Sequence, residues 1–419
     1  MNTKIVTYNV FFVIDLSHNY YDAQKTFNDM SLSFMNMGSR SLFLIFIGVL
    51  IPFLMSAFCV FSIVYLFPKL VIAFHTSVGS LSLLVTLSFI GGAVGGVFLG
   101  MVADAYGRRV GLLLSTAIFS LFTLAAGFAK SLWELYVFWF LVGFGVNAEN
   151  GITYAVVTEN WRSKRGLMGG VLQGIYFIGI VLDALVSGVI RDWRLVLISI
   201  GATSLALSLP LIMLVPETAG RIGLRSVGYG ELFRGSLLII TALSTVLVSS
   251  AFLYTIPLVS LAPTYLSAIK PPGLGYWLIA LPLVGAASYV IAGYASDIYG
   301  RAKTLTVLST IALVSSVALL LMARSYPGYV TIPVALAYFS SSIFAYLGVW
   351  ISELYPMRVR ATASNFAFFL GRLLGGVGPP IVAALFSYDL GVGLGYVLTI
   401  SAALALASTL ILSRFASID

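Results

Sequence analysis

GMVADAYGRR at residues 100–109 returns as GYASDIYGRAK at residues 293–303. Asp297 stands 193 positions after Asp104, and downstream Glu353 stands 194 after Glu159. Two matches at nearly one offset are a single internal repeat. The shared letters have a physical reading. Gly107 and Gly300 allow a tight turn. Asp104 and Asp297 fall at a helix boundary, where a carboxylate can cap the next helix or pair with arginine.

Outward from each copy the chain is apolar for long stretches. Hydrophobic residues make up 60% of 419 positions and charged residues 9%, too few polar groups to cover a water-soluble fold of this size. A bilayer core needs ~20 apolar residues per helix. Spans are expected near 42–66, 78–101, 111–129, 133–157, 168–190 and 195–215, and again near 236–262, 274–295, 304–322, 329–351, 363–386 and 391–412. The expected fold is therefore all-α and membrane-integral, with twelve transmembrane helices as two pseudosymmetric six-helix bundles. The longest connection, Pro216 to Gly235, separates a bundle at 41–216 from one at 236–419 through a linker at 217–235. A parallel repeat of six helices places a two-fold axis along the membrane normal and a solute site between the halves at mid-depth.

Lysine and arginine set the orientation. With the N-terminus inside, sixteen of the 23 basic residues are cytoplasmic, six are outside and Arg372 lies within a span. Both termini are expected to be cytoplasmic in the plasma membrane. Residues 1–40 read as a cytoplasmic extension without a cleavable signal, and Met30, Met35 and Met37 offer later starts. The lone cysteine, Cys59, rules out disulfide frameworks and thiolate metal sites. No nucleotide loop, zinc spacing or nucleophile constellation appears, so neither an enzyme nor a cofactor or metal is expected. The net charge of +8 belongs to basic loops, with no cluster long enough for nucleic acid.

The pattern G-x-x-x-D-x-x-G-R-[R/K] after spans 2 and 8 resembles the signature loop of the major facilitator superfamily over residues 40–415. Finer strings, RGLMGGVLQGIY at 165–176, SELYPMRVRA at 352–361 and NFAFFLGR at 365–372, are similar to the sialate and lactate proton symporters. Sugar porters and organic-ion transporters share much of that pattern. The first half has no proline between Glu159 and Arg165, and span 7 lacks the His and Asp of fungal-type lactate permeases. The resemblance implies alternating-access transport, and places a solute-binding glutamine at Gln173. The charges repeated in both halves, Asp104, Arg108, Glu159 and Arg165 with Asp297, Arg301, Glu353 and Arg360, are expected to form an inner gate.

Ionisable groups within spans are the strongest site signal, because each is costly in hydrocarbon. Glu149, Asp183 and Arg372 are the candidates. Arg372 is expected to hold a carboxylate with its planar donor fork, or else to neutralise an acid. Glu149, with Asp183 second, would carry the coupling proton. Tyr176, one turn beyond Gln173, shares its face, and Asn147 and Asn365 are further binding candidates. Each amide could equally be interhelical glue.

These features point to proton-coupled symport of an organic anion or sugar acid by a monomer, with solute, proton and bilayer as partners. Neutral-sugar symport and drug efflux are the alternatives within transport. A transporter-like solute sensor is the alternative outside it, disfavoured by the short tail after Arg414.

Overall fold

The computed structural model describes residues 39–160, 165–215, 229–356, 359–385 and 389–415, and every regular element among them is helical. Gly48–Asp419 forms one compact unit, and the described part of Met1–Ile47 is the start of the first helix. Residues 1–38 of the expected extension and most of the linker lie outside the described residues, while residues 39 and 40 already belong to the first helix.

In chain order the first half holds α1 (Ser39–Val60), α2 (Ser62–Phe74), α3 (Val78–Tyr106), α4 (Arg108–Ala126), α5 (Leu132–Asn160), α6 (Arg165–Val189) and α7 (Trp193–Ile212). The second holds α8 (Ser236–Ile269), α9 (Leu274–Tyr299), α10 (Arg301–Ser325), α11 (Thr331–Ser340), α12 (Leu347–Glu353), α13 (Arg360–Gly376), α14 (Gly378–Leu385) and α15 (Leu390–Phe415).

Among the described residues ten helical stretches are long and apolar enough to cross a bilayer. An eleventh, Thr331–Ala345 with Leu347–Glu353, is bent by 41°. The twelfth is α5, whose 29 residues are interrupted by Asn147, Glu149 and Asn150. These polar residues lower the mean hydropathy of the helix without shortening it, and polar groups in a span are tolerated where they face the bundle interior. The result is the expected twelve-span, all-α membrane fold.

The first span, Phe46–Phe74, runs past the expected end at 66. Its Lys69 ammonium donates to the Ser187 and Ile190 carbonyls at the end of α6, both at 2.9 Å. A lysine with that outlet does not stop a helix.

The bend in the tenth span has a local cause. Ser340, Ser341 and Ser342 each turn their hydroxyl back onto their own helix, to the carbonyls of Ala337, Tyr338 and Phe339. Such back-bonding loosens a helix, and Ser341–Ala345 continues as a 3-10 turn before Tyr346.

Within the first half α5 packs on α3 and α4, and α4 on α7; within the second α15 packs on α8 and α10. Between halves, α6 lies along α9 while α3 meets α13 and α14. The α6–α9 seam depends on small residues. A Cβ on Gly293 would collide with the Gly166 carbonyl and lie 3.1 Å from the Gly170 Cα. Gly100, the repeat counterpart of Gly293, has no described atom within 4 Å of such a Cβ. One inter-half seam is therefore closed at the end bearing the signature loops, whereas the corresponding point of α3 faces open space.

Candidate functional site

A cavity of about 570 Å³ lies between the two halves. It reaches the signature-loop end through Gly151, Arg165, Ser352 and Ser364. Towards the other end it is shut by Phe89 against Phe252, with ring centroids 6.1 Å apart. Thr86 Oγ1 also donates to the Gly376 carbonyl there, at 2.7 Å.

Helical periodicity explains the first wall. Gln173, Tyr176 and Ile180 recur at three- and four-residue intervals on α6 and share one face. On α5, Asn147 and Asn150 do the same. Asn150 sits beside the Tyr176 hydroxyl, and Arg372 of α13 is close enough to act on it electrostatically. The Arg372 guanidinium reaches across to α3, where Nη1 lies 3.8 Å from a Cβ built on Gly96. All five expected solute-binding residues, Arg372, Gln173, Tyr176, Asn147 and Asn365, thus line one cavity.

The two acids do not join them. Glu149 is fully buried, with Thr153 Oγ1 donating to its Oε1 at 2.9 Å and Ser56 beside it. It is two residues from Asn147 and one from Asn150, so at about 100° per residue it points off the cavity face. Asp183 is on the Tyr176 stripe but two turns further towards the shut end, within electrostatic reach of Cys59 and Tyr65. Neither Asp183 oxygen nor Glu149 Oε2 has a hydrogen-bond partner among the described residues. Those three oxygens therefore accept no hydrogen bond from Arg372. Helix rotation separates one acid from the arginine and depth separates the other.

The signature loops take two different arrangements. Gly107 and Gly300 have φ of 118° and 90°, the turn geometry expected of them. Neither aspartate caps its next helix, however, because the glycine itself is the N-cap of α4 and of α10. Asp104 accepts from Arg108 Nη1 at 2.6 Å, within its own loop. Asp297 instead accepts from the backbone N–H groups of Gly166 (3.1 Å) and Leu167 (2.9 Å), crossing to the first turn of α6 in the other half. Arg301 bonds Glu353 at 2.7 Å and approaches Asp297 at 3.5 Å. Arg360 Nε donates to the Tyr355 carbonyl. Arg165 is exposed at the cavity mouth, and the Glu159 side chain lies outside the described residues.

Tyr346 was not apparent from sequence. It lines the cavity just past the 3-10 break, is 1% exposed, and its hydroxyl has no partner among the described residues. The serine run 340–342 was the available signal, since broken helices border solute sites in transporters.

The Major Facilitator Superfamily model matches residues 32–379. A protein of Cupriavidus pinatubonensis named "Probable 4-methylmuconolactone transporter" is 25% identical over 331 residues, 74% of this chain and 76% of that protein. The gentisate transporter of Corynebacterium glutamicum is 25% identical over 368 residues, 79% of this chain and 78% of its own length. Among solved structures, a bacterial homologue of the human lysosomal transporter Spinster, in an inward-facing and occupied conformation, superposes with a TM-score of 0.67. That likeness has 18% identity and covers 90% of this chain and 98% of the other.

Proposed function

The chain belongs to the major facilitator superfamily, and from that membership we propose that it carries an organic anion together with a proton by alternating access. It is a multi-pass membrane transporter and not an enzyme. The observation that carries the anion assignment is the charge of the cavity: Arg165 and Arg372 line it, and among the described residues no carboxylate does. In a low-dielectric cleft such a pair attracts anions and orients a carboxylate through the guanidinium fork. Relatives named for gentisate and 4-methylmuconolactone accord with this reading. Its finer placement beside the sialate and lactate proton symporters rests on the strings at 165–176 and 352–372.

The proton is assigned to Glu149 and Asp183, buried carboxyls with oxygens left over inside the first half. Both termini and the signature loops are assigned to the cytoplasm, which makes this cavity inward-facing, between a first bundle at 41–216 and a second at 236–419. The inner gate comprises the aspartates and arginines of the signature loops with Glu159, Glu353, Arg165 and Arg360.

Purified protein in proteoliposomes, given a pH gradient and a panel of carboxylates and neutral sugars, tests the proposal. Arg372→Gln should abolish anion uptake, and Arg372→Lys should lower anion affinity sharply because the charge remains and the fork is lost. Undiminished anion uptake by folded Arg372→Gln protein would remove the anchor and favour a neutral sugar.

A further inference from the structure

The walls around Arg372 are made of rings. Nine of the 25 residues lining the cavity are Phe or Tyr. Four of them form a connected array centred on Phe252, with centroids 4.6 Å to Phe344, 6.1 Å to Phe89 and 6.3 Å to Phe368. The array is pressed against the helix that carries the arginine. A Cβ on Gly371 would sit 3.2 Å from the Phe252 ring, and one on Gly375 would collide with the Phe252 Cβ. A Cβ on Gly376 would lie 2.7 Å from Phe89. Glycines on both sides of Arg372 thus let two rings lie on the α13 backbone, with the guanidinium between them in sequence.

The arginine and the ring array are adjacent, and the faces of Phe89, Phe252, Phe344 and Phe368 offer no hydrogen bond to the hydroxyls of a sugar acid, which would lose water against them without replacement. A flat π-face, by contrast, extends an array whose members already sit in tilted and edge-to-face geometry at ordinary centroid spacings. Among the polar lining residues of the second half, Tyr346 stands at the break of the tenth span, buried and with its hydroxyl unpartnered among the described residues. A cavity of about 570 Å³ has room for a ring and its substituents.

We propose that the solute is a planar aromatic carboxylate, held by its carboxylate at Arg372 and by its ring among Phe89, Phe252, Phe344 and Phe368, with the Tyr346 hydroxyl bonding a polar ring substituent. This deepens the organic-anion reading and rests on it.

Calorimetric titration of the purified full chain with benzoate, 4-hydroxybenzoate, cyclohexanecarboxylate and glucuronate tests it. Benzoate and cyclohexanecarboxylate share charge and ring size and differ in planarity and π-face. Benzoate should bind about tenfold tighter, the size of one or two ring–ring contacts. Phe252→Leu, with Phe344→Leu as a second variant should the first not fold, should reduce that preference to about threefold or less. Tyr346→Phe should bring the affinities of 4-hydroxybenzoate and benzoate, separated about fivefold or more in the parent protein, to near equality. Cyclohexanecarboxylate or glucuronate binding as tightly as benzoate would overturn the aromatic assignment and leave the organic-anion reading standing. Failure of all four carboxylates, with binding of a neutral sugar, would bring down that underlying reading as well. A hydroxybenzoate-to-benzoate ratio unchanged by Tyr346→Phe would overturn the role of Tyr346.

Discussion

Replacing Asp297 with asparagine should loosen the join between α6 and α9 at the signature-loop end. The carboxylate accepts two backbone N–H bonds at the first turn of α6, from Gly166 and Leu167. A bond to a charged group contributes about 1.5–3 kcal/mol net when buried, and negative charge at a helix N-terminus adds about 0.3–1 kcal/mol. Asparagine keeps one acceptor oxygen and loses the charge. The Asp297 side chain is 17% exposed and also approaches Arg301, so solvent and a second partner reduce the loss to about 1–2 kcal/mol. That corresponds to a shift of about 5–30-fold in a two-state population. Asp104→Asn is the internal comparison. It breaks a pair four residues apart, with side chains 21% and 35% exposed, and such pairs contribute about 0.3–0.5 kcal/mol. Spin labels on cysteines replacing Tyr106 and Tyr299, both exposed at that end, report the separation of the halves once Cys59 is changed to Ser. Asp297→Asn should raise the wide-separation population several-fold and Asp104→Asn should barely move it. Superimposable distance distributions for parent and Asp297→Asn would refute the latch. The same two cysteines should resist an impermeant maleimide in intact cells, and labelling from outside would reverse the proposed orientation.

Glu149→Gln should abolish accumulation driven by a pH gradient yet leave exchange of solute for solute, because the glutamate lies off the cavity wall. Loss of both modes together would make it a structural acid, and Asp183→Asn measured in parallel would show whether the second acid carries the proton instead. Gly293→Ala should destabilise the protein by about 1–3 kcal/mol, the cost of overpacking where no space exists. Gly100→Ala, into open space, should be near neutral; equal melting temperatures for the two in detergent would contradict the asymmetry of the seams.

Much of this was legible in the chain itself. The repeated loop at 100–109 and 293–303 and the apolar run lengths determined the twelve spans, because a bilayer fixes how long a helix must be and a repeat leaves a constant offset. The residues bordering the cavity, Gln173, Tyr176, Asn147, Asn365 and Arg372, stood out as polar groups where only apolar ones are inexpensive. The side each acid faces did not. A soluble helix shows its buried stripe by contrast with a polar face, but here lipid and core are equally apolar, so Leu83, Val94 and Phe98 face outward as readily as Leu81, Leu84 and Phe89 face inward. Without that contrast, the rotation of α5 that turns Glu149 away from the cavity, the depth at which Asp183 is closed over, and the choice of Asp297 over Asp104 as the inter-half contact are set by packing between helices far apart in sequence. Tyr346 belongs with them. Its ring is one aromatic among many until the serine run bends the span and leaves its hydroxyl buried at the edge of the cavity.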